Sequence, residues 1–221
     1  MDLLRIQHLS VRYDGKDILS DFDLNVAKGD KIVIKGRSGI GKSTLFRLIM
    51  GFNIPDSGIM SLDGVPMDHD TVWDIRKKIA YVSQDTDIGE GIVSGLIDEI
   101  FSFRANRDVL DKEKLYEILS ILSLQRIILN KEYITLSGGE KQRIALAIAL
   151  LSGKDIFLLD EVTAELDIVL KQKVVDLFFG NPEWTVLAIS HDREWENFVP
   201  ANSGNNMGKG IRIIDFPEVT N

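Results

Sequence analysis

Short apolar segments that end on polar residues constrain the fold of this chain more than any other feature. Each is rich in isoleucine, valine or leucine and is bounded by polar or glycine residues; the segments are KIVIK, IAYVSQ, IFLLDE and VLAISH. Strands that are buried on both faces of a parallel sheet have this composition. Helical patterns lie between the segments, so the sequence predicts an α/β fold with a mainly parallel sheet.

The residues that follow these segments predict a functional site. KIVIK leads into the glycine-rich residues 36–44, and IAYVS ends on Gln84. IFLL is followed by Asp160 and Glu161, and VLAIS by His191. Ligands of open parallel sheets bind outside the carboxyl ends of the strands. We therefore expect these side chains to meet at one edge of the sheet.

The glycine-rich segment matches the spacing G-x-x-x-x-G-K-[ST]. Its residues are Gly36, Arg37, Ser38, Gly39, Ile40, Gly41, Lys42, Ser43 and Thr44. Glycines let backbone amides converge on anionic oxygens, and a helix that begins near Lys42 adds its positive end. Lys42 is expected to reach the β- and γ-phosphates of a nucleoside triphosphate, and Ser43 to bind Mg²⁺. The alternative is an ordinary glycine turn between a strand and a helix.

The carboxylates after IFLL complete this predicted chemistry. Asp160 is placed to hold the metal through water, and Glu161 to orient or deprotonate the attacking water. The alternative is that both are solvated carboxylates that cap the following segment.

A second candidate anion site lies in the segment LSGGEKQR. Ser137 and Glu140 match a capping box, which predicts that a helix carrying IALAIALL begins here. Gly138 and Gly139 at its start leave the backbone amides open to an anion. Two anion sites and one triphosphate imply either that the chain binds two ligands or that two chains share their sites. The residues alone leave both alternatives open.

The pattern changes in the middle of the chain. KEKLYEILSILSL and VSGLIDEIF have helical spacing, so residues 85–135 are predicted to form a mostly helical insertion. Residues 1–84 and 136–221 would then form the nucleotide-binding core of a single domain, 1–221. Near the C-terminus, the turn-rich PANSGNNMGKG precedes IRIIDF, which we interpret as an edge strand.

Composition excludes several classes of protein. The chain has no cysteine, so disulfides and thiolate metal sites are excluded. Its net charge of −8 argues against binding to nucleic acid. The longest apolar run, IALAIALL, falls far short of the roughly 20 residues that span a bilayer. We therefore expect any membrane role to come from a partner.

These motifs resemble those of the ATP-binding subunits of ABC transporters, along the whole chain but weakly at its C-terminal end. GRSGIGKST resembles the Walker A loop, LSGGEKQR the family signature and IFLLDE Walker B with its catalytic glutamate. Gln84 resembles the Q-loop glutamine that senses Mg²⁺, and His191 the switch histidine that contacts the γ-phosphate. Tyr13 resembles the aromatic that stacks on adenine. The alternatives are a core aromatic for Tyr13 and a neutral surface histidine for His191.

The resemblance implies an ATPase with a P-loop NTPase core, an N-terminal antiparallel β part and a helical insertion that faces an integral membrane permease. It also implies binding of ATP and Mg²⁺ and a position on the cytoplasmic face of the membrane. Two copies would pair head to tail, so that Ser137, Gly138 and Gly139 of one close on the γ-phosphate held by Lys42 of the other. This favours two chains over two ligands.

The segment after Glu161 departs from the family pattern. Val162 replaces the usual proline, as in exporter-like members, and this favours export. The segment ILNKEYITLSGGE lacks the acidic loop of fused exporters and is similar to that of small stand-alone ATPases of metal-related export. Ala164 and Glu165 replace a Ser-Ala pair, which leaves the dimer contact of this segment open.

Three other functions are alternatives to a transport ATPase. A soluble ABC-type ATPase that acts on nucleic acid or ribosomes usually has two ATPase units or a long coiled coil, and the short span between Ser43 and Ser137 leaves no room for one. A membrane-complex ATPase that transmits force without moving a solute fits the residues equally well. A non-hydrolysing module predicts loss of Lys42 or Glu161, and both are present.

Overall fold

The computed structural model describes residues 2–103, 106, 110–199 and 210–218. Its strands are β1 (Asp2–Tyr13), β2 (Lys16–Ala27), β3 (Lys31–Lys35), β4 (Ser57–Leu62), β5 (Val65–Pro66), β6 (Ile79–Val82), β7 (Ile156–Asp160), β8 (Thr185–Ile189) and β9 (Arg212–Asp215). Its α-helices are α1 (Lys42–Ile49), α2 (Val72–Lys78), α3 (Val93–Ser102), α4 (Lys112–Ile121), α5 (Gly138–Leu151), α6 (Ile168–Gly180) and α7 (Arg193–Glu196). Two short 3₁₀ helices cover Arg126–Asn130 and Tyr133–Thr135.

The strands form two sheets, as the fold prediction required. The first is antiparallel, with the order β2-β1-β4-β5. The second has the order β6-β7-β8-β3-β9, and each neighbouring pair in it is parallel. The predicted α/β class, with an N-terminal antiparallel part and a parallel sheet, is therefore confirmed.

The four apolar segments singled out in the sequence lie side by side in the parallel sheet. They form β6, β7, β8 and β3, in that spatial order. IRIIDF supplies β9, which pairs with β3 and is an edge strand of this sheet, as predicted. The turn-rich residues 200–209 lie outside the described residues.

Burial on both faces explains why the central strands are apolar throughout. In β7, Phe157 and Leu159 belong to a core shared with α5 and α6. Ile156 and Leu158 point to a second core, which lies between the two sheets and α1. Alternate side chains of a strand face opposite sides of the sheet, so a strand covered on both sides has no polar face.

The predicted helix in KEKLYEILSILSL is α4. Leu115, Ile118 and Leu119 are buried at helical spacing, and Leu122 is buried just beyond the helix. These residues join the same core as Ile144 of α5, so the helices between residues 93 and 121 pack directly against the part of the chain that contains α5. Among the described residues, no helix combines the length and apolarity needed to cross a bilayer.

Candidate nucleotide-binding site

The glycine-rich loop connects β3 to α1, and α1 begins at Lys42 as predicted. Gly41 precedes it with φ of 112°, a left-handed conformation that disfavours other residues. A Cβ at Gly41 would also collide with the side chain of Ile18 on β2. The loop therefore depends on glycine here for both its turn and its close approach to the antiparallel sheet.

Lys42 is buried inside this loop, with 5% of its surface exposed. Its Nζ donates to the carbonyl oxygens of Gly36, at 2.8 Å, and Arg37, at 2.9 Å. Within the described ranges, no carboxylate oxygen lies within 4.0 Å of Nζ. Because a buried cation without a carboxylate partner is incompletely compensated, the loop favours an anionic ligand.

His191, after β8, approaches Lys42, and Glu161, after β7, approaches His191. Nε2 of His191 lies 3.5 Å from Nζ of Lys42 and 3.8 Å from Oε1 of Glu161. The backbone N–H of Glu161 donates to the carbonyl of Ile189 at 2.9 Å. Glu161 has φ of 51°, which is uncommon for a residue other than glycine and turns it away from the line of β7. The two side chains are thus brought to the loop as predicted.

Asp160 lies in the same group and is almost fully buried, with 2% of its surface exposed. The hydroxyls of Ser43 and Tyr81 lie beside its carboxylate, while its Oδ1 atom has no hydrogen-bond partner. Burial is the main cause that raises the pKa of Asp160, and the negative charge of Glu161 raises it further. The Ser43 hydroxyl acts in the opposite direction and lowers it. Burial and the Asp160 charge raise the pKa of Tyr81 to about 12.

This arrangement fits a magnesium ion. The unpaired Oδ1 of Asp160 and the hydroxyl of Ser43 are hard oxygen donors of the kind that Mg²⁺ prefers. A divalent cation beside Asp160 would supply the charge that burial leaves uncompensated.

Gln84 and Tyr13 are placed at the periphery of the site. Gln84 is exposed and follows β6, whose neighbour β7 ends on Asp160. Within the described part of the chain, no hydrogen bond joins Gln84 to Lys42 or Asp160. Tyr13 ends β1 and is 61% exposed, so the alternative that it packs in the core is wrong. The β1–β2 hairpin that carries it reaches the loop through Ile18.

The signature segment forms the predicted capping box at the start of α5. The N–H of Glu140 donates to the Ser137 hydroxyl at 3.3 Å, and the N–H of Ser137 donates to the Glu140 carboxylate at 2.9 Å. The bond from Ser137 N–H is the main cause of the lowered pKa of Glu140, and Lys131 adds an ion pair. No hydrogen bond in the described ranges joins Ser137, Gly138 or Gly139 to the glycine-rich loop. Within one chain, the two anion sites remain separate.

Glu165 packs against this signature segment. A Cβ at Gly138 would fall 2.8 Å from Cδ of Glu165, and one at Gly139 would fall 3.0 Å from its carbonyl oxygen. The carboxylate therefore lies at the positive N-terminal end of α5. Sequence analysis singled out Glu165 as a departure from the family pattern, but could not place it on Gly138.

Sequence analysis missed the support that the C-terminal segment gives to the loop. Phe216 is 3% exposed, and its Cβ would lie 3.1 Å from a Cβ at Gly36. Its N–H donates to the carbonyl of Lys35 at 2.7 Å. Arg37 pairs with Glu218 at 3.2 Å. The only signal was an aromatic residue at the end of the predicted edge strand, and its neighbours could not be derived without knowing the strand order.

Comparison with known proteins decides the family. A family model described as "ABC transporter" matches residues 19–164 of this chain. The chain belongs to the ABC transporter family. This ABC ATPase domain binds and hydrolyses ATP, and it is the ATP-binding subunit of a transporter.

Individual relatives agree with this assignment. The energy-coupling factor transporter ATP-binding protein EcfA1 of Bacillus licheniformis is 30% identical over 222 residues, covering 94% of this chain and 78% of the relative. A dimeric structure of the bacterial ABC transporter cassette MJ0796 superposes with a TM-score of 0.80 at 25% identity, covering 99% of this chain and 97% of that one. The structure of cbiO1 from Clostridium perfringens, part of the ABC transporter complex cbiONQ, has a TM-score of 0.71 at 26% identity, with 86% and 79% covered.

The expected direction of transport, export, is not supported by the relatives. Val162 indicated export, but the comparisons do not support export, since the relative described above belongs to an energy-coupling factor transporter. Val162 is buried, with 1% of its surface exposed, so its identity reflects local packing rather than the direction of transport.

Proposed function

We propose that this ABC ATPase domain binds Mg²⁺-ATP at residues 36–44 and powers a separate membrane permease of the energy-coupling factor type. One observation carries the proposal. His191 lies within 4 Å of both Lys42 and Glu161, so groups from separate strands converge on one point. Hydrolysis of a phosphoanhydride needs a cation, a base and a polar contact for the γ-phosphate at one place.

Binding is assigned to the loop and its neighbours. The amides of the loop and Nζ of Lys42 hold the β- and γ-phosphates, where anionic oxygens replace the carbonyl partners of Lys42. Ser43 and Asp160 hold Mg²⁺, with Gln84 at the same edge of the sheet; when bound, the ion neutralises phosphate charge. Tyr13, exposed at the end of β1, stacks on adenine.

The chemical step is assigned to Glu161 and His191. The Glu161 carboxylate orients a water molecule and accepts its proton as the water oxygen attacks the γ-phosphorus. The bond from the γ-phosphorus to the bridging oxygen breaks, so ADP leaves with that oxygen. His191 contacts the γ-phosphate and, through its position beside Lys42, keeps that phosphate next to Glu161.

A second copy of the chain completes the site in this proposal. Ser137, Gly138 and Gly139 make no hydrogen bond to their own loop among the described residues, yet they present the N-terminus of a capped 14-residue helix. In a head-to-tail dimer they would close on the γ-phosphate held by the other copy. The dimeric architecture of the MJ0796 cassette, which the fold of this chain matches closely, supports this arrangement.

The permease is the third component. We assign residues 85–135, a helical insertion within the single domain 1–221, to the surface that faces it. The relatives support a membrane partner, because they are named as parts of transporters or transporter complexes. This assignment places the domain on the cytoplasmic face of a membrane, where ATP is available.

Single substitutions test the catalytic assignment. Glu161→Gln should lower kcat by about 10²- to 10⁴-fold, the usual scale of general acid–base help, while ATP stays bound. Lys42→Ala should abolish ATP binding or turnover. Glu183→Gln is a matched control, because Glu183 is exposed and precedes the opposite end of β8. Parental turnover in Glu161→Gln would contradict the assignment of the base.

A mixed dimer tests whether two chains share each site. One copy carries Lys42→Ala, the other Ser137→Arg, and each copy has its own affinity tag for sequential purification. If sites are shared, both lesions fall in one site and the other stays intact, so the mixed dimer hydrolyses ATP although neither homodimer does. If each chain serves its own site, the mixed dimer is as inactive as the homodimers.

The transport assignment is tested by capture from membranes. The tagged Glu161→Gln variant, expressed in its own host and purified in detergent, should retain a multi-span membrane protein. The parent ATPase reconstituted with that protein in vesicles should move a solute when ATP is supplied. Retention without solute movement would favour a force-transmitting complex, and retention of ribosomes or nucleic acid instead would contradict a permease.

A further inference from the structure

A buried hydroxyl joins the two loops that carry Glu161 and His191. Thr163, two residues after Glu161, is fully buried. Its Oγ1 donates to Oδ2 of Asp192, the residue after His191, at 2.7 Å. The indole Nε1–H of Trp195, which is also fully buried, donates to the same Thr163 oxygen at 2.9 Å.

Asp192 extends this connection to α6. Its Oδ1 accepts from Nζ of Lys171 at 2.6 Å, and its backbone N–H donates to the Ser190 hydroxyl at 3.0 Å. Both members of the ion pair are largely shielded, with 22% of the Asp192 side chain and 18% of the Lys171 side chain exposed. The Thr163 network, defined as Thr163, Lys171, Asp192 and Trp195, is thus shielded from water and satisfied at every polar atom named here.

The Thr163 network connects the loops that follow β7 and β8, where strand pairing no longer fixes the backbone. The strand pairing of β7 with β8 ends at Asp160 and Ile189, and one backbone bond, from Glu161 N–H to Ile189, follows it. Beyond that bond, the directions of the Glu161 and His191 side chains depend on how the two loops are held. The Thr163 network is a side-chain connection between these two loops, close to where the atoms of Glu161 and His191 approach to 3.8 Å.

We propose that Thr163 is a positioning residue: its hydroxyl, bound between Asp192 and Trp195, fixes Glu161 and His191 relative to each other and thereby sets the rate of hydrolysis. The inference rests on the proposed roles of Glu161 and His191. Lys42 and the loop at residues 36–44 belong to β3 and α1 and make no bond to the network within the described residues. The network should therefore affect kcat and leave ATP binding unchanged.

A merely structural role makes a different prediction, and Thr185 provides the matched control. Thr185 is 1% exposed, and its Oγ1 accepts from the Gly29 N–H at 2.9 Å. It begins β8, at the end of the strand away from His191. Thr185→Val therefore also removes a buried, hydrogen-bonded threonine hydroxyl, with one hydrogen bond lost where Thr163→Val loses two, but far from the candidate site.

The experiment compares Thr163→Val, Thr163→Ser and Thr185→Val by ATP turnover and thermal unfolding. Thr163→Val should lower kcat by about ten- to a hundredfold, the scale of a small misplacement of reacting groups, with KM for ATP unchanged. Thr163→Ser, which keeps the hydroxyl, should restore turnover. Thr185→Val should lower Tm by a similar amount and leave kcat at the parental value. Equal loss of kcat in both valine variants, or no rescue by serine, would overturn the proposal.

A second variant and a double mutant keep the test decisive. Trp195→Phe removes the indole donor together with part of the ring volume and keeps an aromatic ring against Phe179, so it serves if Thr163→Val does not fold. It should also lower kcat without changing KM. In the Glu161→Gln background, Thr163→Val should cause little further loss, because residues that act as a unit are not additive. If Glu161→Gln has a low kcat while Thr163→Val and Trp195→Phe keep the parental kcat, this inference alone is overturned. If Glu161→Gln keeps the parental kcat, the proposed function is overturned.

Discussion

Nζ of Lys42 lies 3.5 Å from Nε2 of His191, although 149 positions separate the two residues along the chain. The pairing of β3 with β8 creates this proximity, since Ile34 lies opposite Ile189 and both strands run in the same direction. Each strand then delivers its next residues to the same edge of the sheet. The candidate site is therefore a direct product of strand order, and disturbing what holds these strand ends should disturb ATP use.

Phe216 should be needed for ATP binding although it is remote in sequence from every motif. Its ring lies 6.1 Å from that of Phe22, and its Cβ packs against Gly36. Phe216→Ala should cost about 3–5 kcal/mol of unfolding free energy, the usual range for a buried phenylalanine, and raise KM for ATP because the loop loses its packing support. Chemical denaturation and steady-state ATPase assays measure both, and Phe216→Leu should be milder in each.

Glu218 provides the contrast within the same segment. Its ion pair with Arg37 is exposed, with 83% of the Arg37 side chain and 56% of the Glu218 side chain accessible. Glu218→Gln should therefore cost less than about 1 kcal/mol and leave KM unchanged. If Glu218→Gln raises KM as much as Phe216→Ala does, the segment acts through its charge and the packing argument is wrong.

Asp160 should reduce the stability of the nucleotide-free protein at neutral pH. Its pKa in the folded state is raised, chiefly by burial, so the folded state holds the proton more tightly than the unfolded state. Stability of the parent then falls as pH rises from the ordinary aspartate value through the raised one, and stays lower above it. Asp160→Asn, which is neutral at every pH, should lack this fall.

Thermal unfolding without nucleotide at several pH values checks this prediction. At pH 7, Asp160→Asn should unfold at a higher temperature than the parent, by roughly 2–4 °C per kcal/mol gained. The difference should shrink below pH 4, where the parent carboxyl is protonated in both states. Mg²⁺-ATP should raise the Tm of the parent more than that of the variant. A variant less stable than the parent at pH 7 would show that interactions with the Ser43 and Tyr81 hydroxyls outweigh the cost of burial.

Glu165 should oppose closure of the proposed dimer. Its carboxylate lies against Gly138 at the start of α5, where the proposal places the γ-phosphate of the other copy. Two anions at one helix N-terminus repel each other. In the Glu161→Gln background, Glu165→Gln should tighten ATP-dependent dimerisation by about fivefold, equivalent to about 1 kcal/mol for an exposed pair. Sedimentation at low ionic strength measures this, and Glu183→Gln should have no effect.

The sequence specified the parts of this site whose chemistry and local pattern coincide. The glycine spacing predicted both the turn at Gly41 and the start of α1 at Lys42, and Ser137 with Glu140 predicted the capping box, because each depends on neighbours within a few residues. The apolar strands were equally clear, since burial on both faces leaves no polar positions.

What could not be predicted depends on contacts between distant segments. The Tyr81 hydroxyl reaches Asp160 only because β6 pairs with β7 in one register, and a shift of one residue would turn it to the other face. Phe216 supports Gly36 only because β9 lies beside β3. No local pattern in the sequence links Thr163 with Trp195, and their hydrogen bond depends on how the loops after β7 and β8 pack together.

One measurement tests the central claim most directly: a structure of Glu161→Gln bound to ATP and Mg²⁺, the variant expected to keep nucleotide without consuming it. We predict that the phosphates follow residues 36–44 beside Lys42, with the ion next to Ser43 and Asp160 and the γ-phosphate within reach of His191. A nucleotide bound elsewhere, or phosphates that leave Lys42 on its own loop carbonyls with Asp160 remote from the metal, would contradict the account.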